Sequence, residues 1–277
     1  MEKMNHQQYT AVDRSEESTA IEKSIPIEKC TRIEKCGETF PRLFERPPVT
    51  TQGNDPEFMR IMQRYIFGEI WHVGSLSDRM RALCEVVAMT ARHTLPALKN
   101  HIRSAFNAGC TAPEIREAVY QCSPFTGFPH VMEAQVVMNE VFAEKGISVP
   151  LPGAETMEED EARFETGKKI QNELSMEDMD LSFLPEPYNR WLPYALTAYG
   201  MADFGSRSVL SLKERELLNV VILAAVGDGG HLLKLHAQAA LSSGNTPEEI
   251  VCALVQGSPY MGLPKLLGAV EIIKELL

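Results

Sequence analysis

The chain contains an internal repeat, which restricts its possible folds more than any other feature of the sequence. When His101 is aligned with His236, the 30-residue segments that begin there are identical at 12 positions without a gap, whereas roughly two identities are expected by chance. The match extends backwards with small gaps and pairs Arg81 with Arg215. The 277-residue chain is therefore predicted to contain two similar units, each long enough to bury an apolar core.

Both copies of the repeat predict helices joined by short turns. Ser77 and Ser211 precede apolar segments and are good N-cap residues. Thr111 and Thr246 are each followed three residues later by glutamate, the spacing of a capping box. No segment of strand length alternates between apolar and polar residues. We therefore predict an all-α fold in which two copies of one helical unit form a pseudo-twofold pair.

Composition divides the chain around the two copies. The N-terminal residues are polar and predict an extension that is disordered in part, and an acidic stretch rich in helix breakers predicts a linker between the copies. The predicted divisions are 1–45 for the extension, 46–150 for the first unit, 151–160 for the linker and 161–277 for the second unit.

Charge and cysteine content narrow the possible partners and the compartment. The net charge of −11 argues against nucleic acid or an anionic membrane as the main partner and favours a small-molecule substrate. The sequence contains no membrane-spanning apolar run and no signal-peptide pattern in its first 25 residues, so we expect a cytoplasmic protein. Cys30 and Cys36 lack the usual zinc or dithiol spacing, which favours an incidental repeat in a solvated tail over a metal or redox pair.

Several phrases shared by the copies resemble the carboxymuconolactone decarboxylase family, within the alkylhydroperoxidase D-like superfamily. They are FGEIW at 67–71, LKNH at 98–101, LKLH at 233–236, and the turns SPFTGFP at 123–129 and SPYMGLP at 258–264. The resemblance implies a helical unit that occurs twice here. Because single-unit relatives commonly form hexameric rings, it also implies that a fused double unit reaches the same ring as a homotrimer.

The resemblance implies a decarboxylase that needs no metal or organic cofactor and acts on a small carboxylated lactone or related acid. In such a reaction the electrons of the broken bond enter a conjugated carbonyl, so the protein stabilises an enolate oxygen and returns a proton to carbon. The peroxidase branch of the superfamily instead requires a Cys-x-x-Cys pair just before the helical histidine. Neither copy has this pair. A non-catalytic helical assembly protein remains an alternative.

The first copy offers three candidate site residues. His101 begins the second helix of its unit and is a candidate general acid or base. Glu85 is the one charged residue in an apolar helical stretch, where an unpaired carboxylate is unfavourable. Arg81 lies one turn earlier and either pairs with Glu85 or binds a substrate carboxylate. Our hypothesis gives proton transfer to His101 and Glu85, and carboxylate binding to Arg81.

The second copy offers His236, Glu216 and Arg215 as candidates. Glu216 matches the glutamate position of the peroxidase branch, although a solvated helix face explains it too. Arg215 corresponds to Arg81 and is a second candidate for substrate binding. Because the neutral Asn219 corresponds to Glu85, the sequence favours the first copy as the more active one. No His-x-x-x-His spacing occurs, so we expect no metal site.

Overall fold

The computed structural model describes residues 30–153, 159–176, 179–227 and 230–277. Within these ranges every regular element is helical and no strand is present, as predicted. None of the helices there is long and apolar enough to cross a membrane. The α-helices are α1 Arg32–Phe44, α2 Pro56–Gly68, α3 Asp78–Ala91, α4 Leu95–Asn107, α5 Ala112–Tyr120, α6 Ser123–Thr126, α7 Phe128–Glu144, α8 Asp160–Glu173, α9 Tyr188–Ala195, α10 Asp203–Gly205, α11 Leu212–Val226, α12 Gly230–Ser242, α13 Pro247–Met261 and α14 Leu263–Ile273.

The local signals at the predicted helix starts are present in the structure. The Ser77 hydroxyl accepts a hydrogen bond from the backbone N–H of Met80 at the start of α3. Ser211, Thr111 and Thr246 form capping boxes at the starts of α11, α5 and α13. These caps satisfy amide groups that have no partner inside a helix, so the repeat sets equivalent helix starts in both copies.

The two copies form the predicted pseudo-twofold pair around one shared core. Leu83 of α3 and Leu218 of α11 are fully buried in the same apolar cluster. Aromatic contacts cross the interface reciprocally. The ring of Phe125 meets that of His236 edge-on with centroids 5.3 Å apart, and Tyr260 meets His101 in the same way at 5.1 Å. Phe125 and Tyr260 occupy corresponding positions in the repeat, so each copy completes the surroundings of the other copy's histidine.

The described part of the N-terminal segment expected at 1–45 is residues 30–45. It contains α1, whose buried residues Cys36, Phe40 and Leu43 contact the first unit. Their spacing of four and three residues forms one apolar stripe on an otherwise polar helix, a pattern that average composition conceals. The Cys36 thiol donates a hydrogen bond to the Gln63 carbonyl, so this cysteine does not belong to a solvated tail. Residues 1–29, and 154–158 of the expected linker, lie outside the described residues.

The close contact between α1 and α2 leads to a test of how firmly α1 is held. A Cβ atom at Gly68 would lie 2.1 Å from the Arg32 carbonyl oxygen, whereas a Cβ at Gly37 would meet nothing within 4 Å. We expect Gly68→Ala to lower the free energy of unfolding by about 1–3 kcal/mol because backbone has to move. Gly37→Ala is the matched control and should raise it by about 0.4–1 kcal/mol. Denaturant unfolding measures both, and an unperturbed Gly68→Ala variant would contradict the packing of α1.

Candidate functional site

Each copy contains a histidine hydrogen-bonded to a buried carboxylate. His101 Nδ1 lies 2.7 Å from Glu85 Oε2, and His236 Nδ1 lies 2.6 Å from Glu216 Oε2. The two glutamates come from different turns of corresponding helices, since Glu85 corresponds to Asn219 rather than to Glu216. Positions three residues apart share one helix face, so either position reaches the histidine. The second copy therefore has a carboxylate at its histidine, although the neutral Asn219 occupies the position that corresponds to Glu85.

Asn219 takes part in the second pair. Its side-chain amide donates to Glu216 Oε1 at 3.1 Å, while Glu216 Oε2 bonds His236. Both oxygens of the Glu216 carboxylate are thus engaged, and the Glu216 and His236 side chains are almost completely buried. This arrangement fixes the orientation of the carboxylate and, through it, that of the imidazole ring.

A cavity of about 150 Å³ lies beside His236 at the boundary between the copies. The volume is below the 300–1,000 Å³ typical of sites for drug-sized ligands, so the cavity suits a small compound. Its polar lining is Gln121, Gln171, Arg215, Glu216, Asn219 and His236, and its apolar lining includes Phe125, Met201, Phe204, Leu212 and Leu235.

One wall of the cavity is a π-helical segment, Leu196–Ala202, which contributes Gly200 and Met201 to the cavity lining. The corresponding part of the first copy is the regular helix α2, because Phe67-Gly68 matches Phe204-Gly205 in the repeat. Wide turns of this kind are rare and frequently occur at functional sites. The two copies therefore differ in backbone as well as in side chains around their histidines.

Arg215 is the cationic residue of the cavity lining. Its Nη2 donates to Glu117 Oε2 at 3.1 Å and to the Arg207 carbonyl at 2.7 Å, and its Nη1 lies 3.3 Å from Gln121 Oε1. Its Nε is buried and has no hydrogen-bond partner among the described residues. Burial lowers the pKa of the guanidinium. Arg215 therefore lines the cavity as a residue and keeps one buried donor, Nε, without a partner in the described part of the chain.

Glu117 holds this arginine from the other copy. The Glu117 carboxylate, which is fully buried, receives a two-pronged contact from Arg207, in which Nε and Nη2 each lie 2.7 Å from a carboxylate oxygen. Arg116 Nη2 approaches the same carboxylate at 3.3 Å. Burial on its own would raise the pKa of Glu117, but the hydrogen bonds and charge of Arg207, with the charge of Arg215, hold it below the ordinary value.

The first copy's histidine has different surroundings. The rings of Phe44 and Phe67 lie 5.4 and 6.5 Å from that of His101, and Tyr260 approaches from the second copy. Burial and the nearby Glu85 carboxylate raise the pKa of the Tyr260 phenol well above its ordinary value. Aromatic rings thus surround His101, whereas the cavity lined by Arg215 lies at His236.

The geometry of Arg81 differs from both roles expected for it. Its Nε donates to the Leu76 carbonyl, Nη1 to that of Val73 and Nη2 to that of Gly74, at 2.7–2.8 Å. Because these bonds hold the guanidinium on the loop before α3, Arg81 is placed neither to pair with Glu85 nor to bind a substrate carboxylate. It fastens that loop instead.

Sequence reasoning missed Gln121, Glu117 and Arg207. Gln121 is identical to Gln256 in the repeat, and this identity at a helix end was a usable signal. Glu117 and Arg207 have no such signal, because their contacts join residues 90 positions apart. Within the described ranges, no group of three or more His, Cys, Asp or Glu residues is arranged to hold a metal ion.

Comparison with known sequences agrees with this architecture. The family model described as "Carboxymuconolactone decarboxylase family" matches residues 56–140 and 192–275, one match in each copy and together more than half of the chain. The chain, with its two all-α units, therefore belongs to the carboxymuconolactone decarboxylase family.

Three relatives show the range of this similarity. The chain is 30% identical over 92 residues to the 4-carboxymuconolactone decarboxylase of Acinetobacter baylyi, which covers 33% of this chain and 69% of that protein. It is 33% identical over 81 residues to an uncharacterized 15.0 kDa protein of Paracoccus denitrificans, covering 28% of this chain and 60% of that protein. It is 29% identical over 90 residues to the nitrosuccinic acid decarboxylase of Metarhizium robertsii, covering 32% of this chain and 59% of that protein.

The buried charge cluster gives a stability prediction. Replacing Glu117 with glutamine leaves Arg116, Arg207 and Arg215 without their shared carboxylate, so we expect a loss of about 3–5 kcal/mol in the free energy of unfolding. Glu144→Gln is the control, because Glu144 pairs with Arg103 and Lys99 at the surface and should change stability little. Equal effects of the two substitutions in urea unfolding would contradict a structural role of the cluster.

The depressed pKa of Glu117 also predicts a pH dependence. An unfolded glutamate titrates near pH 4.3, at about the ordinary value, so the ion pairs contribute fully above that pH and lose their effect as pH falls through the lower folded pKa. The difference in stability between the natural chain and Glu117→Gln should therefore shrink as the pH is lowered below about 4. Urea unfolding across pH 3–7 measures it, and a constant difference would show that Glu117 does not titrate in this way.

Proposed function

We propose that the protein is a carboxy-lyase of the 4-carboxymuconolactone decarboxylase type that acts, without a cofactor, on a small carboxylated lactone or related acid. The observation that carries the proposal is the cavity at His236, whose lining combines a histidine–carboxylate pair with the guanidinium-bearing residue Arg215. Two of the similar proteins are named decarboxylases, which supports the reaction class. A cytoplasmic location is part of this proposal.

In the proposed reaction the substrate carboxylate binds beside Arg215. The bond between carbon and this carboxylate breaks, CO₂ leaves, and the electron pair moves into the conjugated carbonyl of the substrate as an enolate. The apolar walls formed by Phe125, Met201 and Leu235 exclude water, which strengthens electrostatic interactions within the cavity.

His236 is the proposed proton donor that completes the reaction. Its Nδ1 is held by Glu216, which leaves Nε2 as the ring nitrogen for the substrate. The imidazolium transfers a proton from Nε2 to the enolate carbon, the carbon–hydrogen bond replaces the carbon–carboxylate bond, and the ring regains a proton from solvent. Glu216 orients the ring and stabilises its charged form. Asn219 acts as a positioning residue through its bond to Glu216.

Thiol peroxidase chemistry is disfavoured by the cysteine environments as well as by the missing Cys-x-x-Cys pair. Burial raises the pKa of the Cys84 and Cys122 thiols, and it raises that of Cys110 to about 12. A thiol with a raised pKa is poorly nucleophilic at neutral pH. None of these three cysteines belongs to the lining of the cavity at His236.

Substitutions in the two copies test which histidine is used. We expect His236→Ala and Glu216→Gln to lower the turnover of decarboxylation by roughly 10²- to 10⁴-fold, the range for loss of a positioned acid or base. The matched controls His101→Ala and Glu85→Gln alter the corresponding pair of the first copy and should retain most of the turnover. Loss of CO₂ is measured on carboxymuconolactone and a small panel of related lactones.

The opposite ranking would move the reaction to the first copy, as the sequence had suggested. Equal losses in both sets would show that both pairs are needed. Circular dichroism and melting temperature are recorded for each variant, so that unfolding is distinguished from loss of chemistry. No turnover of any lactone in the panel, with a correctly folded natural chain, would count against the decarboxylase proposal itself.

We also propose that the protein assembles as a homotrimer, with six units in a closed ring. Corresponding helices of the two copies expose apolar residues at matching positions, Phe128 and Met132 on α7 and Leu263 and Leu267 on α14, each more than half exposed. Exposed stripes of this kind mark surfaces for association. Their repetition in both copies suits a ring in which alternate interfaces are similar.

Light scattering tests the assembly. We expect a mass of three times 30.9 kDa for the natural chain, and a shift towards monomer for Met132→Glu combined with Leu267→Glu, because both charges would be buried without a partner. The control combines Gln238→Glu with Glu165→Gln. Both residues are exposed, and the two changes together leave the net charge unaltered. A monomeric natural chain at micromolar concentration would exclude the trimer.

A further inference from the structure

The buried charges around Glu117 do not balance. Arg116, Arg207 and Arg215 all form ion pairs with Glu117, and among the described residues no second carboxylate lies within ion-pair distance of any of the three. Each arginine is less than a tenth exposed. Three guanidinium groups and one carboxylate leave an excess of two positive charges in a poorly hydrated region, where uncompensated charge is unfavourable.

Two of these arginines retain unused donors. Arg207 directs Nε and Nη2 to Glu117, which leaves Nη1. Arg116 directs Nη1 to the carbonyls of Leu151 and Pro152 and Nη2 to Glu117, while its Nε is buried without a hydrogen-bond partner among the described residues. A buried donor without a partner is rare in folded proteins and calls for an acceptor.

Arg116 and Arg207 line a groove of about 630 Å³, separate from the cavity at His236 and within the size range of ligand sites. Gln135 and Asn139 of α7 add side-chain amides to its wall. Both guanidinium groups lie over the ring of Tyr120, at 5.8 and 5.5 Å from its centroid, within the distance of a cation–π contact. The groove therefore presents preorganised positive charge together with neutral hydrogen-bonding groups.

The repeat supplies an internal comparison. Arg116 and Glu117 correspond to Val251 and Cys252. Arg207 corresponds to Val73, because each lies eight residues before the paired arginine and each accepts that arginine's hydrogen bond at its carbonyl.

Val73, Val251 and Cys252 line a pocket at the pseudo-equivalent place. The fold thus builds the corresponding junction with uncharged residues at these three positions, although Glu248 also lines that pocket. Charges at the positions of 116, 117 and 207 are therefore not required for folding the unit. Their presence on one side alone points to a ligand.

We propose that this groove is a binding site for a small multivalent anion bearing carboxylate or phosphate groups, held between Arg116 and Arg207. Guanidinium groups bind both kinds of anion through parallel hydrogen bonds. The site is distinct from the proposed catalytic cavity, yet the two share Glu117, which contacts Arg207 on one side and Arg215 on the other.

Calorimetric titration of the full chain tests the site. The probes are inorganic phosphate and succinate, each at constant ionic strength set with sodium chloride, so that non-specific screening is held fixed. We expect saturable binding of at least one probe, and the stronger of the two identifies the anion class. Heat no larger than that of chloride for both probes would overturn the proposal, unless the chain's own Glu155 or Glu158, close after Gly153 in sequence, competes. The titration is therefore repeated with Glu155→Gln/Glu158→Gln, and failure there as well overturns the proposal.

Gln135→Glu places a carboxylate in the groove itself. We expect this variant to melt at a higher temperature without ligand, because the new charge offsets the excess, and to bind the preferred probe at least tenfold more weakly. Gln238→Glu introduces the same chemical change at an exposed position of α12 outside the groove and should leave affinity unchanged. Unaltered affinity in Gln135→Glu would place any binding elsewhere and overturn the proposal.

A second variant replaces three charged residues of the groove and its cluster with the uncharged residues at the corresponding positions of the repeat. Arg116→Val, Glu117→Cys and Arg207→Val together reproduce Val251, Cys252 and Val73, a combination the fold already accommodates. We expect this triple variant to remain helical by circular dichroism and to lose saturable anion binding. A folded triple variant that binds the probe with the natural affinity would also overturn the proposal. Because the readout is binding, the result does not depend on which reaction the cavity performs.

Discussion

The apolar interface between the two copies brings side chains of both copies together around each histidine. Leu83 and Leu218 belong to one buried cluster that spans both copies, and burial of such surface is the main favourable contribution to folding. This interface brings Phe125 against His236 and Tyr260 against His101. The surroundings of each histidine therefore include an aromatic ring from the other copy.

Duplication left the helical frame intact while the two sites diverged. Each histidine retains a carboxylate at hydrogen-bond distance, but Glu85 and Glu216 supply it from positions one turn apart. A helix face tolerates this exchange because residues three positions apart lie side by side. Larger differences arise where backbone changes, since the π-helical segment Leu196–Ala202 borders the cavity of the second copy. The histidine–carboxylate hydrogen bond is thus similar in the two copies, whereas the space beside the histidine differs between them.

The charged cluster at Glu117 joins the two places where ligands are proposed to bind. Its carboxylate contacts Arg215 at the cavity and Arg207 at the groove. A buried carboxylate of this kind stabilises the fold only while its cations remain in place, because desolvation of an unpaired charge exceeds most single contacts in free energy. The counterpart pair of Arg81 and Cys252 shows that the same frame also tolerates an uncharged partner, so the cluster is a feature of one side of the molecule.

The sequence by itself determined the helical class, the duplication and the pairing of His101 with His236, because caps, periodicity and repeats are local or self-similar signals. It also nominated Glu85, Glu216 and Arg215. Only the tertiary structure decided which carboxylate meets which histidine and that the guanidinium of Arg81 is engaged by backbone carbonyls. It alone also placed the cavity at the second copy. These outcomes depend on contacts between helices far apart in sequence and on the π-helical geometry of residues 196–202. Neither is encoded in a local sequence pattern.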